Sequence, residues 1–173
     1  MTLPPPFQKQ MEQQLGTEYP KFVEALQAAP PVSIRINEKK SFAKKENQEG
    51  VKWSNGKGKY LVERPIFTLD PAFQAGAYYV QEASSMFVGE VMRQINSENK
   101  ALKVLDLCAA PGGKSTALLS ELNDESLLVA NEVIRSRYSI LQQNLAKWGR
   151  PNIAVTNHDS KDFNNLNNFF DVV

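Results

Sequence analysis

The segment Val104–Thr116 limits the fold more than any other part of this sequence. It reads Val-Leu-Asp-Leu-Cys-Ala-Ala-Pro-Gly-Gly-Lys-Ser-Thr, an apolar run that passes directly into a loop of small residues. The apolar run predicts a buried parallel strand, and the residues after the glycines predict the start of a helix. At such a junction, backbone N–H groups and a helix N-terminus can face a ligand at close range.

Two common phosphate-binding patterns do not fit this loop. A P-loop, G-x-x-x-x-G-K-[ST], would need a glycine at Cys108, and Pro111 lacks an N–H group that such a loop would use. The dinucleotide fingerprint G-x-G-x-x-G also fails, because Cys108 and Ala110 stand where glycines are expected. Two interpretations of the loop remain: an α/β nucleotide site of another kind, or a tight turn without a ligand.

Two acidic residues favour a site for S-adenosylmethionine. Asp106 closes the first apolar run, and Glu132 follows the second, Leu127–Ala130. In this type of site a small-residue turn passes beneath the methionine part of the cofactor. A carboxylate after the second strand can accept hydrogen bonds from both ribose hydroxyls.

Four ordered motifs resemble one known family. The loop Asp106–Lys114 resembles the cofactor loop of the Nop/Sun family of RNA 5-methylcytosine methyltransferases. Tyr79–Met86 is similar to that family's signature before the cofactor strand, and Ser33–Asn37 is similar to its N-terminal domain pattern. Arg64-Pro65 together with Gly76 fits the segment between these two motifs. The resemblance extends from about residue 30 to the end of the sequence.

The resemblance implies S-adenosylmethionine as the cofactor and assigns its binding residues. Asp159, beyond the third predicted strand, would lie at the adenine end, although it could instead cap a turn. Lys114 would support the loop or approach the substrate, although an exposed lysine at a helix start fits equally well. Arg137 could approach the cofactor region from the polar side of its helix, although a solvated position is the expectation. The predicted cofactor residues are Cys108, Ala109, Ala110, Pro111, Gly112, Gly113, Lys114, Glu132 and Asp159.

The predicted RNA-contacting segment is residues 35–64, which contain nine Lys or Arg against four Glu. Phe42, Trp53 and Tyr60 interrupt these charges, and Lys44-Lys45 is one of the densest basic pairs. Basic residues with aromatics suit phosphate contact and base stacking, whereas a solvated loop is the plainer interpretation. The net charge of +1 supports neither of these two interpretations. The predicted substrate-side residues are Arg35, Asn37, Lys39 and Lys40.

The expected fold class is α/β, with a truncated Rossmann-like class I methyltransferase sheet after a small α+β N-terminal domain. We expect an RNA-contacting accessory domain at residues 1–76 and the first half of the methyltransferase domain at 77–173, cut in strand 4. Residues 32–36, 102–107, 127–131 and 153–155 are predicted strands, and a fourth parallel strand begins at 171. Helices are predicted in 7–28, over 82–95 and after Ile134, the last of these ending at Gly149. The alternation of residues 32–36 predicts a strand with one solvent face.

Methyl transfer to cytosine C5 requires a thiolate that adds to C6. The sequence has one cysteine, Cys108, and it lies in the predicted cofactor loop. The resemblance places the attacking and the releasing cysteine in later segments, beyond Val173, so this chain alone is expected to be inactive. A lone His158 without partners at metal spacing argues against a zinc site.

The expected substrate is structured RNA, most of all ribosomal RNA, with transfer RNA left open. A non-catalytic RNA-binding module with a vestigial cofactor fold is the alternative, and a small-molecule methyltransferase or an unrelated nucleotide-binding protein is the third class. A single cysteine agrees with a reducing cytoplasm, and no apolar run is long enough to cross a membrane. A half sheet would expose an apolar edge, through which the chain could associate with itself.

Overall fold

The computed structural model describes residues 3–40 and 48–173. These fall into two compact units, Met1–Pro31 and Val32–Val173. The first unit contains the helices α1, Pro5–Leu15, and α2, Tyr19–Gln27. The rings of Phe7 and Phe22 lie 6.3 Å apart and join the two helices, as their apolar spacing predicts.

The second unit contains two three-stranded sheets. Its strands and helices, in chain order, are β1 Val32–Ile36, β2 Gly58–Leu61, α3 Pro71–Gln74, β3 Tyr78–Val80, α4 Phe87–Ile95, β4 Lys103–Asp106, α5 Gly113–Leu119, β5 Leu127–Asn131, α6 Arg135–Trp148 and β6 Ile153–Thr156. A 3-10 helix, Ser84–Met86, precedes α4, so the single helix predicted over 82–95 is two shorter elements.

The first sheet is antiparallel, with β1 between β2 and β3. Ile34 packs with Phe67 and Tyr78 in the core on one face of β1. The opposite face carries Ser33 and Arg35, which are also buried. The prediction of one solvent face is therefore wrong, because the polar side chains of β1 form hydrogen bonds with buried groups of other elements instead of with water.

The second sheet is parallel, in the order β4-β5-β6, as the strand–helix pattern predicts. Val172 pairs in parallel with Val104, on the side of β4 away from β5. The chain order thus reverses between β4 and the segment at residue 171, and ligands of open α/β sheets bind beside such a reversal.

Helix α6 covers one face of this sheet with the C-terminal half of its apolar stripe. Leu141, Leu145 and Trp148 are at most 3% exposed, whereas Ile134 is 49% exposed. Gly149 ends the helix with a φ of 76°, and its N–H donates to Leu145 O, as predicted.

Apolar surface remains uncovered around the parallel sheet. A cleft of about 320 Å³ lies between α4 and the end of β4, and Phe87 and Ile95 are more than half exposed on the same helix. A second cleft, of about 360 Å³, lies where Phe163 and Phe170 face β5 and β6. The exposed apolar surface was predicted, and self-association through it stays a prediction. In the part of the chain that the structure describes, no helix has the length and apolar character to cross a membrane.

Gly76 lies just before β3, where this segment packs against the C-terminal end of α6. Asn37 Nδ2 donates to Gly76 O at 3.0 Å and to Trp148 O at 2.9 Å. A Cβ atom on Gly76 would lie 2.0 Å from Lys147 O, and its φ is +69°. The backbone of Lys147 therefore leaves no room for a side chain.

We expect Gly76→Ala to lower the free energy of unfolding by at least about 3 kcal/mol, because the backbone of α6 must move. Gly56→Ala is the matched control, since Gly56 has a φ of +78° and no atom within 4 Å of its Cβ position. It should lose about 1–2 kcal/mol from backbone strain alone. Urea unfolding measures both, and equal losses would contradict the close approach.

Candidate cofactor site

The loop between β4 and α5 lies at the carboxyl end of β4. Gly112 has a φ of +107°, a left-handed conformation that favours glycine. A Cβ atom there would also lie 3.3 Å from Leu141 Cδ1. At Gly113 a Cβ atom would meet Tyr79 Cε1 at an ordinary 3.5 Å. The first glycine is therefore required by the conformation of the loop, whereas the second is not.

Side chains from other elements hold the carbonyl groups of this loop. Pro111 O accepts hydrogen bonds from Tyr79 Oη at 3.1 Å and from Asn144 Nδ2 at 2.8 Å. Gly113 O accepts one from Gln81 Nε2 at 3.1 Å. Tyr79 and Gln81 belong to the upstream motif, so that motif supports the loop. These protein contacts hold the loop in place, which lowers the ordering cost of binding a ligand.

Asn131 ties this loop to the ends of the neighbouring strands. The residue is 1% exposed, and its Nδ2 donates to Leu107 O at 3.2 Å and to His158 O at 2.9 Å. Its Oδ1 accepts from the His158 N–H at 3.0 Å and from Thr156 Oγ1 at 2.8 Å. Sequence reasoning missed Asn131, although an amide at the end of an apolar run was the available signal.

Glu132 follows Asn131 and is a buried carboxylate, 2% exposed. Its Oε1 accepts a hydrogen bond from the Ile134 N–H at 3.0 Å, whereas its Oε2 accepts none from the described residues. Arg137 Nη1 lies 3.4 Å from Oε2, within ion-pair range, and Arg137 Nη2 donates to Ala110 O at 2.7 Å. Arg137 is half exposed, as the predicted solvated position requires, and its guanidinium also joins Glu132 to the loop.

A buried carboxylate oxygen without a hydrogen bond needs a donor. Ribose hydroxyls are donors of the right kind, and a carboxylate after the second strand is where nucleotide folds bind them. The donor set at Glu132 therefore fits the ribose of the predicted cofactor.

Asp106 ends β4 on the other side of the loop and is half-buried. Its Oδ2 accepts a hydrogen bond from Ser115 Oγ at 2.7 Å. Burial raises the pKa of the Asp106 carboxyl, against the smaller lowering effects of Ser115, Lys114 and the Cys108 N–H. A carboxylate held at a raised pKa lowers stability when it is charged, and such groups concentrate at functional sites.

Asp159 lies just beyond β6 and caps a short 3-10 helix, Ser160–Asn165. Its Oδ1 accepts a hydrogen bond from the Lys161 N–H at 3.0 Å, and the side chain is exposed. Asp159 therefore has the turn-capping role that was the alternative expectation. The adenine-side role stays a prediction, since capping through Oδ1 occupies one of the two carboxylate oxygens.

The remaining predicted cofactor residues form a loop with a buried and an exposed part. Ala109 and Ala110 are 4% and 8% exposed. Cys108, Pro111 and Lys114 are exposed, and Lys114 also lines the apolar cleft beside α4. The exposed part is the part that a ligand or substrate can reach.

Arg35 and Asn37 do not fit their predicted role on the substrate side. They are 3% and 2% exposed, and their polar atoms bond to the protein interior. Because their hydrogen-bonding groups are already paired within the protein, they are not available to RNA, and this part of the substrate prediction is wrong. The prediction relied on the alternation of polar and apolar residues in β1. This pattern is the same whether the polar face is solvated or is buried and hydrogen-bonded.

The predicted basic pair Lys39 and Lys40 lies at the surface. Lys39 Nζ is 3.6 Å from Asp124 Oδ2, and Lys40 Nζ donates to Ala75 O and to Lys147 O. Trp53 Nε1 donates to Ala83 O at 2.7 Å, and its ring packs against a small buried cluster. The predicted contacts of Phe42 and Lys44-Lys45 lie outside the described residues.

Within residues 3–40 and 48–173, no three His, Cys, Asp or Glu side chains are grouped to hold a metal ion. His158 Nδ1 lies 3.2 Å from Asp162 Oδ2 at the surface.

Two family models match this chain. The N-terminal domain of 16S rRNA methyltransferase RsmF matches residues 3–83, and 16S rRNA methyltransferase RsmB/F matches residues 92–173. Ribosomal RNA small subunit methyltransferase F of Shewanella piezotolerans is 38% identical over 88 residues, or 51% of this chain. The protein of the same description from Escherichia coli O139:H28 is 37% identical over 89 residues. The matches cover 19% and 18% of these two relatives.

A solved structure has the same fold over nearly the whole chain. The methyltransferase homolog protein from Pyrococcus horikoshii superposes with a TM-score of 0.71 and 25% identity. The superposition covers 98% of this chain and 62% of that one.

The parallel sheet, its reversal of strand order and the small-residue loop define part of a Rossmann-like methyltransferase fold. The chain belongs to the Nop/Sun family of S-adenosylmethionine-dependent RNA methyltransferases, and it matches the N-terminal part of that family.

The raised pKa of Asp106 predicts a pH dependence of stability. A carboxyl with a raised folded-state pKa binds its proton more tightly in the folded state, so stability falls as pH rises from the ordinary value of 3.8 through the raised pKa. Asp106→Asn removes this loss. The free energy of unfolding of wild type minus that of Asp106→Asn should therefore fall with rising pH and then level off.

Urea unfolding at several pH values between 3.5 and 7 measures this difference, with the exposed Glu125→Gln as the control. A wild-type minus Asp106→Asn difference that does not change with pH would show that Asp106 is not perturbed by burial.

Proposed function

We propose that this chain forms the S-adenosylmethionine-binding part of an RNA cytosine-C5 methyltransferase. The observation that supports this most is Glu132 Oε2, a buried acceptor that receives no hydrogen bond from the described residues and has Arg137 at ion-pair distance, beside a loop that other side chains hold in place. Membership of the family indicates the class of reaction. The activity and the substrate of the whole enzyme belong to this proposal.

In this proposal the residues Cys108–Lys114 form a seat beneath the cofactor, and Glu132 accepts hydrogen bonds from its ribose. Asp159 receives the adenine end through the carboxylate oxygen that does not cap the turn. Asp106 lies at the same strand edge, beside the first turn of α5, and would help to hold the cofactor through its carboxylate. The bound cofactor supplies an electrophilic methyl group, and the chain's own residues bind and orient it.

The covalent step needs a thiolate, which adds to cytosine C6 and makes C5 nucleophilic. Cys108 is the one cysteine of the sequence, and it lies within the loop that would hold the cofactor. Its proposed role is to be small at the surface of that loop. The attacking and releasing cysteines would come from residues outside this sequence, and the chain by itself would not methylate cytosine.

The proposed substrate is ribosomal RNA in the cytoplasm, with transfer RNA as the open alternative. The family models and the curated relatives carry the description of ribosomal RNA methyltransferases. The substrate-side residue that the structure leaves accessible is Lys39, 60% exposed, with the partly exposed Lys40 beside it. We propose that the accessory domain ends at residue 76 and that the methyltransferase domain begins at residue 77.

Glu132→Gln should weaken the binding of S-adenosylhomocysteine at least about tenfold, because the amide nitrogen cannot accept from ribose. The side-chain oxygen of glutamine can keep the bond from the Ile134 N–H, so the fold should survive. Calorimetric titration of both forms with S-adenosylhomocysteine and with ATP measures this, and Glu125→Gln is the matched surface control.

Binding of ATP but not of S-adenosylhomocysteine would exclude the proposed methyltransferase site. Salt-sensitive RNA binding by a chain that binds no cofactor would favour the RNA-binding module instead.

A further inference from the structure

The guanidinium of Arg35 is buried among neutral partners. Its Nε donates to Gln81 Oε1 at 2.8 Å, its Nη1 to Ser120 Oγ at 2.7 Å and its Nη2 to Thr116 Oγ1 at 2.5 Å. The ring of Trp148 lies 4.5 Å from Arg35 Cζ. Among the described residues, no carboxylate forms a hydrogen bond with it. Burial lowers the pKa of Arg35 to about 9, so the group stays charged at neutral pH.

A guanidinium donates hydrogen bonds and accepts none, so it fixes the direction of every bond that it makes. Gln81 must turn its oxygen toward Arg35, and its Nε2 then donates to Gly113 O at 3.1 Å. Thr116 Oγ1 accepts from Arg35 in the same way, and its own hydrogen is left to donate to Gly113 O at 3.0 Å.

Two chains of hydrogen bonds that start at Arg35, one through Gln81 and one through Thr116, therefore end on the carbonyl of Gly113. Gly113 is the first residue of α5 and the last glycine of the predicted cofactor loop. Without Arg35, no donor would hold Gln81 Oε1 and Thr116 Oγ1 in their present positions, and both side chains could move to rotamers that no longer reach Gly113 O. Arg35 thus holds both side chains where they can donate to the loop.

We propose that Arg35 is a positioning residue for the cofactor loop, acting through Gln81 and Thr116 on the carbonyl of Gly113. The proposal rests on the proposed function in one respect, that the loop seats the methyl donor. It deepens that function because it gives the buried polar face of β1 a role in shaping the site.

A purely structural role for Arg35 makes a different prediction for one substitution. Gln81→Glu keeps an oxygen in front of Arg35 Nε and adds an ion pair, so the contact that anchors β1 is retained. The second oxygen then faces Gly113 O, where a donor stood before. If the contact between Arg35 and Gln81 only anchors the sheet and does not act on Gly113 O, this variant should behave like wild type, whereas a positioning role predicts a displaced loop.

The experiment compares Gln81→Glu, Thr116→Val and Thr116→Ser with wild type. Hydrogen exchange of the amides at residues 107–113 is measured without ligand, and the affinity for S-adenosylhomocysteine is measured by calorimetry. We expect several-fold faster loop exchange and about tenfold weaker binding for Gln81→Glu and Thr116→Val, with the thermal midpoint of Gln81→Glu near that of wild type. Thr116→Ser retains the hydroxyl and should restore wild-type exchange.

Unchanged loop exchange in Gln81→Glu would overturn the positioning role, whatever the affinity. A wild-type chain that binds no S-adenosylhomocysteine, but whose loop exchange responds to Gln81→Glu as expected, would contradict the proposed function and support the positioning of the loop by Arg35.

Discussion

The second unit is organised around buried cations that extend from the antiparallel sheet to the C-terminal end of α5. Arg35 on β1 reaches Ser120 Oγ, and Lys57 Nζ donates to Ser120 O at 2.9 Å and to Glu121 Oε1 at 2.7 Å. Positive charge at a helix C-terminus is favourable, because the last carbonyl groups carry partial negative charge. Removing one partner of the buried Lys57–Glu121 ion pair would leave the other charge unpaired, which typically costs about 3–5 kcal/mol. The two sheets are therefore one compact unit and not two independent bodies.

This arrangement also fixes the conformation of the loop that we propose to bind the cofactor. Helix α5 begins at Gly113, where Gln81 and Thr116 hold the carbonyl, and ends where the two cations meet it. Asn131 adds the second constraint, because its side chain joins Leu107 O to both backbone groups of His158. Three strand ends are thereby held at one edge by hydrogen bonds of the protein itself. Such preorganisation leaves more of the binding energy of a ligand for affinity.

Local patterns were enough to predict the parallel strands, α6 with its glycine stop, and the small-residue loop. Each of these depends on residues that are close in sequence, such as Leu141, Leu145 and Gly149. The buried polar face of β1 could not be predicted in this way. Arg35 and Asn37 find their partners 81 and 111 residues away, at Thr116 and Trp148, so an alternating strand looks the same whether solvent or protein covers its polar side. Asn131 was missed for a similar reason, since its partners lie on two other strand ends.

We propose that the strand edge formed by the loop, Glu132 and the turn at Asp159 binds the methyl donor. Titration of a ¹⁵N-labelled chain with S-adenosylhomocysteine, followed by NMR, tests this binding residue by residue. We expect saturable shifts of the amides at residues 107–114, 132–134 and 158–160, with those on β2 and in the first unit unchanged. Shifts confined to the apolar cleft beside α4, or no saturable shift at the strand edge, would contradict it.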